Sequence, residues 1–270
     1  MRSESQRSAS ETDRPGGYDP QHFAVLAAVE EAHFWFLARN RVISNLVASA
    51  VADLPPGYRA LEIGCGNGNV LRHLEKTCRD GIVIGMDLFA EGLQFARMRT
   101  HCSLVQGNAS LAPFSTTFQL IGMFDVLEHV RDDVGMLRDT RSLLDPEGTL
   151  LLTVPAHPSL WSYFDEAAHH CRRYERQELV SKLEDTGYEI EYLTEYMASI
   201  YPLVWIGRHL ANWRRGNRNA KELVYRELQI YPLLNRALTA LLFQEARWIS
   251  QRRHLPFGVS LIAMVKKSRD

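Results

Sequence analysis

Short apolar segments alternate with amphipathic segments along residues 60–193. Residues 81–86 form a fully apolar run, and Val70, Leu71 and Leu74 recur at helical spacing just before it. A strand that is apolar on both faces is expected in a parallel sheet that helices cover on each side. The alternation therefore predicts a doubly wound α/β fold.

The same pattern sets the bounds of the predicted elements. A helical pattern over 19–52 ends before Pro55-Pro56-Gly57, because proline and glycine break helices, and a turn is expected at 144–148. Further helices are expected from Val70, over 93–98 and over Arg176–Asp185. The segments that we predict as strands are 60–63, 81–86, Ser103–Gln106, Phe118–Phe124, 149–154, 188–193 and 255–266.

Composition narrows the kind of protein. The chain has 270 residues, enough for one large domain with a sizeable core. A formal net charge of −1 gives no sign of a nucleic-acid partner. The four cysteines, at 65, 78, 102 and 171, show no paired spacing, so reduced thiols in the cytoplasm are expected. Residues 1–17 are rich in Ser, Arg and Glu and lack an apolar stretch, which predicts a disordered tail rather than a signal peptide.

A glycine-rich segment follows the first predicted strand. Glu62, Gly64, Gly66 and Gly68 form the pattern E-x-G-x-G-x-G, and an amphipathic segment begins at Val70. Glycines adopt positive φ and let a ligand approach the backbone, and the helix N-terminus behind them favours a nucleotide-like ligand. The spacing differs from the G-x-G-x-x-G of dinucleotide-binding folds, which disfavours a nicotinamide oxidoreductase. A simple tight turn between strand and helix is the alternative.

This pattern resembles motif I of the class I S-adenosylmethionine-dependent methyltransferases, and the order of features over residues 61–155 is similar to that superfamily. The resemblance implies a Rossmann-like, seven-stranded doubly wound sheet of order 3-2-1-4-5-7-6, with the seventh strand antiparallel. It implies S-adenosylmethionine (SAM) as the cofactor. It also divides the chain into an N-terminal helical cap (18–57), a cofactor-binding core (58–193 and 255–270) and a helical insertion (194–254).

The resemblance assigns roles to residues at the ends of the predicted strands. Asp87 follows the second strand, where an acid can accept hydrogen bonds from both hydroxyls of a ribose. Asn108 stands where the family usually has an acid that reads adenine, and its amide can still accept and also donate. Gln119 replaces a frequent Asp, so its side chain is expected to be dispensable. The implied cofactor-binding residues are Glu62, Gly64, Cys65, Gly66, Asn67, Gly68, Asp87, Leu88, Asn108, Ala109, Phe124 and Asp125.

Three consecutive aromatic residues, Phe34, Trp35 and Phe36, lie within the N-terminal helical pattern. They cannot all face one core, so at least one is expected to cover a pocket or to pack across the sheet edge. Many bacterial methyltransferases carry a similar H-F-W-F-x-x-R segment, which implies a lid in which His33, Trp35 and Arg39 close over the cofactor. The alternative is an ordinary cap helix with Trp35 in the core.

The segment after the fifth strand carries polar and aromatic residues without helix or strand periodicity. Loops of this kind hold functional groups more often than regular elements do. The sequence resembles the P-A-x-x-x-L-W-S-x-x-D and H-x-R-R-Y signature of a broad group of bacterial methyltransferases. In the alternative, residues 172–174 only cap the next helix and the histidines face solvent. Because imidazole titrates near neutral pH, the candidate general bases are His129, His157, His169 and His170.

Asp125, Glu128 and His129 follow the fourth strand in the pattern D-x-x-E-H. On a helix these residues would lie at positions i, i+3 and i+4, along one face. Two carboxylates and an imidazole could hold Mg²⁺ or Mn²⁺, with a further histidine from residues 157–170 completing the shell. The pattern resembles the E-x-x-E-H of metal-dependent methyltransferases of ubiquinone biosynthesis and of small-RNA 3′ ends. Many relatives with D-x-L-E-H work without metal, and there Glu128 and His129 anchor the helix or face the acceptor.

Residues 194–254 exceed the short hairpin that joins strands six and seven in a minimal domain. They have a helical pattern and contain the aromatic cluster Tyr201, Trp205, Trp213, Phe243 and Trp248. No uncharged run reaches the roughly 18 residues that a membrane-spanning helix needs. A substrate lid, a homodimer interface and an in-plane membrane contact are all open, beside helices that simply pack on the sheet.

Together these features predict a methyltransferase that moves the methyl group of SAM to an O or N atom of a small-molecule or lipid-linked acceptor. The sulfonium is already activated, so the protein mainly positions the acceptor and removes its proton. A catalytically inactive, methyltransferase-like binding protein is the alternative. The expected location is cytoplasmic, with a peripheral contact to the inner membrane as a further option.

Overall fold

The computed structural model describes residues 21–213 and 228–268. The tail predicted at 1–17 lies outside the described residues, and so does the side chain of Trp213, one member of the predicted aromatic cluster. Within the described ranges, helices flank both faces of one seven-stranded sheet.

The strands of this sheet are Arg59–Ile63 (β1), Ile82–Asp87 (β2), Ser103–Gln106 (β3), Phe118–Phe124 (β4), Leu144–Pro155 (β5), Tyr188–Tyr196 (β6) and Ser260–Lys267 (β7). Their order is β3-β2-β1-β4-β5-β7-β6, which confirms the predicted topology. β7 pairs antiparallel with β5 and β6, and the other pairs are parallel. The carboxyl ends of β1, β2, β4 and β5 therefore meet at one edge, where open α/β sheets bind ligands.

Nine described helices precede, connect and cover the strands: Gln21–Val29 (α1), Phe34–Val51 (α2), Leu71–Thr77 (α3), Ala90–Ala96 (α4), Asp133–Leu143 (α5), Tyr163–Ala167 (α6), Arg176–Asp185 (α7), Tyr201–Trp213 (α8) and Pro232–Ser250 (α9). Buried apolar side chains of α2, α3 and α9 form a core on one face of the sheet. Those of α5 and α7 form a second core on the other face. The sheet is thus buried on both sides, as its apolar strands predict.

The N-terminal pattern predicted as one helical segment over 19–52 is two helices. α1 ends at Val29 and α2 begins at Phe34, with His33 in an extended conformation between them (φ −73°, ψ 132°). The His33 ring accepts a hydrogen bond from the backbone N–H of Trp35 (3.3 Å) and so caps α2. The break is hidden in the sequence because the apolar residues on either side keep a helical spacing.

The turn predicted at 144–148 is wrong, because these residues belong to β5. Phe118 of β4 pairs with Leu144, whereas Leu120 pairs with Thr149, so β5 bulges between the two pairs. A bulge lets a strand carry extra residues without leaving the sheet. Proline and glycine at this position therefore mark a bulge and not the start of a new strand.

Gln119, whose side chain was expected to be dispensable, lies opposite this bulge. Its side-chain oxygen accepts a hydrogen bond from the backbone N–H of Arg59 (2.8 Å), and its nitrogen donates to the carboxylate of Asp145 (3.2 Å). The amide therefore joins the first residue of β1 to the bulge of β5. An Asp at the same position could accept from Arg59 but could not donate to Asp145.

The insertion between β6 and β7 contains α8 and α9, as its helical pattern predicts. β6 continues to Tyr196 instead of ending at 193, and β7 begins at Ser260 instead of 255. α9 packs on α2 and buries Leu242, Ala246 and Ile249 in the core that both helices share. In the part of the chain that the structure describes, no helix is both long and apolar enough to cross a bilayer.

Candidate active site

Three glycines shape the turn between β1 and α3. Gly64, Gly66 and Gly68 all have positive φ (73°, 49° and 77°), a region that other residues rarely adopt. A Cβ atom on Gly64 would collide with the Val126 side chain, and one on Gly68 would lie 2.9 Å from Cα of Ala96. The turn therefore needs glycine for its backbone conformation and also for its close approach to the neighbouring segments.

Asp87 ends β2 beside this turn. Its carboxylate accepts hydrogen bonds from the backbone N–H groups of Gly66 (2.7 Å) and Phe89 (2.8 Å). Burial raises the pKa of Asp87 above its ordinary value, although these N–H groups oppose the rise. A carboxylate has about four lone-pair positions, so those not used by the two N–H groups can accept from hydroxyl groups of a ligand.

Glu62, near the end of β1, is buried with 2% of its surface exposed. Its Oε2 atom has no hydrogen-bond partner among the described residues. Burial raises the pKa of Glu62 well above its ordinary value, while Arg39 opposes the rise. A buried carboxylate without a partner is costly, so its Oε2 atom marks a position at which a positively charged ligand group would be stabilised.

A cavity of about 450 Å³ opens over this edge of the sheet. All of the predicted cofactor-binding residues line this cavity except Gly68. Gly68 instead packs against Ala96 at the end of α4. The volume is in the range of sites for cofactors and small ligands. Apolar side chains from outside the sheet also contribute to the lining: Phe34, Trp35, Phe164, Val204 and Leu228.

A buried ion pair holds α1 over the glycine turn. Glu30, which is 3% exposed, binds Arg99 and also accepts a hydrogen bond from the side-chain amide of Asn67 (3.0 Å). Phe23 covers the turn itself, since a Cβ atom on Gly66 would lie 3.3 Å from its ring. α1 is therefore fastened to the residues that form the floor of the cavity.

Asp125 directly follows β4 and has a positive φ of 55°. Its carboxylate binds Arg39 of α2 and accepts a hydrogen bond from the hydroxyl of Thr153 (2.8 Å). These contacts hold the backbone of Asp125 in a left-handed conformation that residues other than glycine rarely adopt. Arg39 lines the cavity together with His33 and Trp35, the other two residues of the predicted lid. Trp35 is half-buried, so it contributes to the core and to the cavity wall.

The segment after β5 was expected to lack regular structure, but it contains the short helix α6. Ser162 and Asp165 form a capping box at its N-terminus. Asp165 is fully buried, and it accepts a hydrogen bond from Nε of Arg173 (2.7 Å) and lies 2.9 Å from Nδ1 of His170. Arg208 of α8 lies 3.7 Å from the same carboxylate. A five-residue helix is too short to show a periodicity, which is why the sequence pattern missed it.

Asp165 determines which nitrogen of His170 carries the proton. Burial alone would raise the pKa of Asp165, but the hydrogen bond with His170 and the charges of Arg173 and Arg208 lower it to about 2. An ionised carboxylate only accepts hydrogen bonds, so Nδ1 of His170 is the donor. In the neutral ring the lone pair is then on Nε2, which lies 4.0 Å from Oε1 of Glu128, and His170 lines the cavity.

Glu128, His129 and His170 form a cluster at the cavity wall. Each offers an oxygen or nitrogen atom, and these atoms lie within 4.8 Å of one another. Burial raises the pKa of Glu128 well above its ordinary value, and the charge of Asp125 adds to the rise. Burial and the neighbouring His170 lower the pKa of His129 to about 3. The surroundings therefore disfavour the charged forms of both Glu128 and His129.

The prediction that one helix aligns Asp125, Glu128 and His129 is wrong, because Asp125 lies outside the helix. A 3-10 helix spans only Leu127–His129, and the Asp125 carboxylate is directed to Arg39 and Thr153. His170 takes its place beside Glu128 and His129. Among the described residues, the set that could hold a cation is thus one carboxylate and two imidazoles.

The four candidate bases divide into two pairs. His129 and His170 line the cavity, whereas His157 and His169 do not. Nε2 of His157 lies 2.7 Å from the carboxylate of Glu195. His169 is exposed on the surface and has a positive φ of 56°. Only the first pair can approach a ligand in the cavity.

The alternative that residues 172–174 cap α7 is wrong, because no side chain caps that helix. Arg173 is bound to Asp165, as described above. Arg172 and Tyr174 both donate to the carboxylate of Asp133 (2.8 and 2.9 Å). These residues hold the segment after β5 against α5 and the end of β4.

Several residues that build the site have no assigned role in the sequence analysis. Asp165 is the last residue of the P-A-x-x-x-L-W-S-x-x-D signature. The sequence therefore marked this residue but did not indicate that it would bind His170 and Arg173. Glu30, Arg99 and Arg208 are ordinary charged residues of helical segments or their ends. Each finds its partner through tertiary contacts that no local pattern displays.

A model of a protein family described as a methyltransferase domain matches residues 35–193, which is more than half of the chain. The chain therefore belongs to this methyltransferase-domain family. With the observed strand order, this confirms the resemblance to class I SAM-dependent methyltransferases.

Two curated relatives and one solved structure illustrate the similarity. The 2-phytyl-1,4-naphtoquinone methyltransferase of Thermosynechococcus vestitus is 36% identical over 112 residues, which are 39% of this chain and 50% of the relative. The ubiquinone biosynthesis O-methyltransferase of Xanthomonas campestris is 32% identical over 123 residues, 43% of this chain and 50% of the relative. The chain thus spans about half the length of the curated relatives it matches.

A chain from the complex of the Haloferax volcanii Trm112 methyltransferase activator with a putative methyltransferase has a TM-score of 0.58 at 18% identity, covering 93% of this chain and 98% of that one. At that identity the similarity shows the fold alone.

The buried pair of Glu30 with Arg99 yields a prediction about α1. Glu30→Gln keeps the size of the side chain but leaves Arg99 without its buried anionic partner, so α1 should detach more readily. We expect a local destabilisation of about 2 kcal/mol, the usual contribution of a hydrogen bond to a charged group. Hydrogen–deuterium exchange of the α1 peptide should become faster.

Glu31→Gln is the matched control, because the Glu31 side chain is 51% exposed, so that its pairs with Arg72 (2.8 Å) and with Arg99 (3.8 Å) are open to solvent. Exposed pairs contribute roughly 0–1 kcal/mol, so α1 should exchange as in the wild type. Equal exchange rates in the two variants would show that the buried pair does not hold α1.

Proposed function

We propose that this protein transfers the methyl group of SAM to a hydroxyl or amine of an apolar, lipid-like acceptor. The observation that carries the proposal is Glu62, a buried carboxylate with an unpaired oxygen, lining the cavity beside a glycine turn. SAM carries an α-ammonium group, which is the kind of cation that this oxygen would stabilise. The family and the fold support the same cofactor.

The polar residues of the cavity fit the separate parts of SAM. Glu62 would bind the ammonium group, and the remaining lone pairs of Asp87 would accept from the ribose hydroxyls. Asn108 already uses its side-chain oxygen to accept from the N–H of Ser110 (3.1 Å). Its amide nitrogen is thus the better-suited group for adenine, with one lone pair of the oxygen left to accept.

Transfer of the methyl group is balanced by loss of a proton from the acceptor, which a hydroxyl gives up as its oxygen attacks and an amine gives up after its nitrogen has attacked. When bound, SAM would supply a methyl group on a positively charged sulfur. A bond from the acceptor's O or N atom to that carbon would form as the carbon–sulfur bond breaks, which leaves the sulfur as a neutral thioether. Nε2 of His170 takes the acceptor's proton, and the buried Asp165 stabilises the resulting imidazolium, as a carboxylate does for the histidine of a hydrolase triad. Arg173 and Arg208 keep Asp165 ionised and therefore keep the base in the correct tautomer.

The lining of the cavity supports an apolar acceptor. Val204 and Leu228, both from the insertion, face it together with aromatic residues of α2. The insertion therefore acts as a lid over the acceptor. The names of two relatives, a naphthoquinone methyltransferase and an O-methyltransferase of ubiquinone biosynthesis, support a ring compound with a hydrocarbon tail as the class of acceptor. We favour a ring hydroxyl, since such a group needs the base that His170 provides.

The role of Glu62 is tested by calorimetry with S-adenosylhomocysteine, which retains the ammonium group. Glu62→Gln should weaken binding about 10- to 100-fold, the equivalent of one hydrogen bond to a charged group. Glu91→Gln, in the exposed first turn of α4, is the control and should bind normally.

The pH dependence of this binding follows from the raised pKa of Glu62. The ammonium group binds the ionised carboxylate, so wild-type affinity should fall as the pH falls through the raised pKa. The Glu62→Gln variant should lack this component of the pH dependence. If its affinity and pH profile match those of the wild type, Glu62 is not the ammonium site.

The role of His170 is tested by transfer of a labelled methyl group from SAM to a bacterial lipid extract and to a panel of hydroxylated naphthalenes. His170→Asn should lower kcat by about 100-fold or more, the usual contribution of a general base, without a change in S-adenosylhomocysteine affinity. His169→Asn removes the neighbouring, exposed imidazole and should retain full turnover.

Two outcomes would contradict the assignment. Full turnover by His170→Asn would exclude it as the base. Absence of any labelled product from the wild type, with normal cofactor binding, would favour a protein that binds SAM without catalysis. The two results are distinguishable because binding and transfer are measured separately.

A divalent cation is the second candidate for activation of the acceptor, favoured by the proximity of Glu128, His129 and His170. The cation would lower the pKa of a bound hydroxyl, and Glu128 would bind it in its ionised form. Transfer activity should then be lost on exhaustive chelation and return with Mn²⁺ or Mg²⁺. Activity that survives chelation unchanged would leave His170 to act without a metal.

A further inference from the structure

The exposed apolar side chains of this protein are concentrated in one part of the chain. Ten of the thirteen exposed large apolar residues that the structure describes lie between 201 and 257. Exposed apolar residues scattered singly are normal, but a concentration of them marks an interaction surface. The ten are Leu203, Trp205, Ile206, Leu210, Tyr231, Leu233, Leu234, Leu241, Trp248 and Phe257.

The two faces of α8 differ in their surroundings. Val204 and Arg208 are turned to the cavity, at positions i and i+4. Leu203, Ile206 and Leu210, at i, i+3 and i+7, are 62%, 49% and 44% exposed. Residues at this spacing share one face of a helix. α8 therefore has an apolar outer face in addition to the one that it buries.

α9 has a comparable outer stripe. Leu234, Leu241 and Trp248 recur every seven residues and are 55%, 46% and 52% exposed. The residues Leu242 and Ile249, one position further on, are buried against α2. The 3-10 helix Ala198–Ile200 contacts both α8 and α9, so the two helices belong to one structural unit. We call the exposed apolar residues of this unit the outer surface of the insertion.

The charge on this surface is of one sign. Within the described residues 194–210 and 228–257, the exposed charged side chains are Arg236, Arg247 and Arg253. The two acids of these ranges, Glu195 and Glu245, are buried. Glu195 is paired with His157, and Glu245 accepts hydrogen bonds from the backbone N–H groups of Ala198 and Ser199. The whole chain has a net charge of −1, so the positive bias is a local property.

We propose that the outer surface of the insertion docks on an anionic lipid bilayer. Apolar residues with tryptophan beside arginine form the combination that lies in the interface of such a bilayer, where the rings sit among the headgroups and the cations attract acidic lipids. Docking is a binding property, and it stands whether or not the proposed methyl transfer is correct.

A second copy of this chain is a poorer occupant of the same surface. A two-fold symmetric interface places a patch against itself. Arg236, Arg247 and Arg253 would then be brought close to their own counterparts, with no exposed acid in the described part of the patch to pair with them. Like charges at an interface oppose association, whereas acidic lipids complement them.

The test is flotation of the full-length protein with vesicles of phosphatidylcholine, with or without phosphatidylglycerol. The wild type should float with the anionic vesicles, and added salt should weaken its binding. The double variant Ile206→Glu, Leu210→Glu should bind at least about tenfold more weakly, because it removes two apolar side chains and adds two like charges to those of the membrane.

Two further variants complete the experiment. Ile82→Glu changes a residue that is 55% exposed at the amino end of β2, away from the insertion, and should float as the wild type does. Arg236→Glu, Arg247→Glu leaves the apolar residues in place and should lose the preference for phosphatidylglycerol. Circular dichroism and the thermal midpoint establish that each variant is folded.

The proposal is overturned if the wild type does not float with anionic vesicles. It is equally overturned if Ile82→Glu loses as much binding as the double variant. Sedimentation velocity tests whether a second copy of the chain binds this surface instead. If the wild type is a dimer that does not bind vesicles, and the double variant is a monomer, the surface is a dimer interface.

Discussion

The buried carboxylate of Asp165 is the interaction on which the candidate active site depends. It gathers the N-terminus of α6, the guanidinium of Arg173 and the ring of His170, and Arg208 of α8 lies beside it. Removing one partner from a buried ion pair costs about 3–5 kcal/mol, because the other charge is left unpaired. The segment after β5 is therefore held in one arrangement, although little of it is helix or strand.

The same carboxylate connects the insertion to the candidate base. Arg208 lines the cavity, lies near Asp165 and donates a hydrogen bond to the backbone oxygen of Leu160 (2.7 Å). Any movement of α8 would therefore change the surroundings of His170 as well as the shape of the cavity. α8 thus carries part of the outer surface of the insertion on one face and lines the cavity with Val204 and Arg208 on another.

Local patterns in the sequence were sufficient to locate the strands and the glycine turn at the floor of the cavity, whereas the order of the strands was predicted from the resemblance to a known family. Apolar strands and glycines at fixed spacing express constraints between residues that are close in the chain, and Asp87 stands directly at a strand end. Contacts between distant segments were beyond such patterns: Glu30 meets Arg99, and Asp165 meets Arg208, only after folding. The bulge at 144–148 was misinterpreted for the same reason, since a strand that gains residues is recognised only from its pairing with β4.

The distribution of charge around the cavity gives the proposed cofactor a physical basis. Glu30 forms a salt bridge with Arg99 and Asp125 forms one with Arg39, whereas Glu62 and Asp87 form none among the described residues, and Arg39 acts on Glu62 only through its charge. Burial of a carboxylate without a salt bridge is unfavourable, and a ligand group with a positive charge offsets it. The α-ammonium group of the proposed cofactor carries such a charge, and the Oε2 atom of Glu62, which has no hydrogen-bond partner among the described residues, is the atom best placed to bind it.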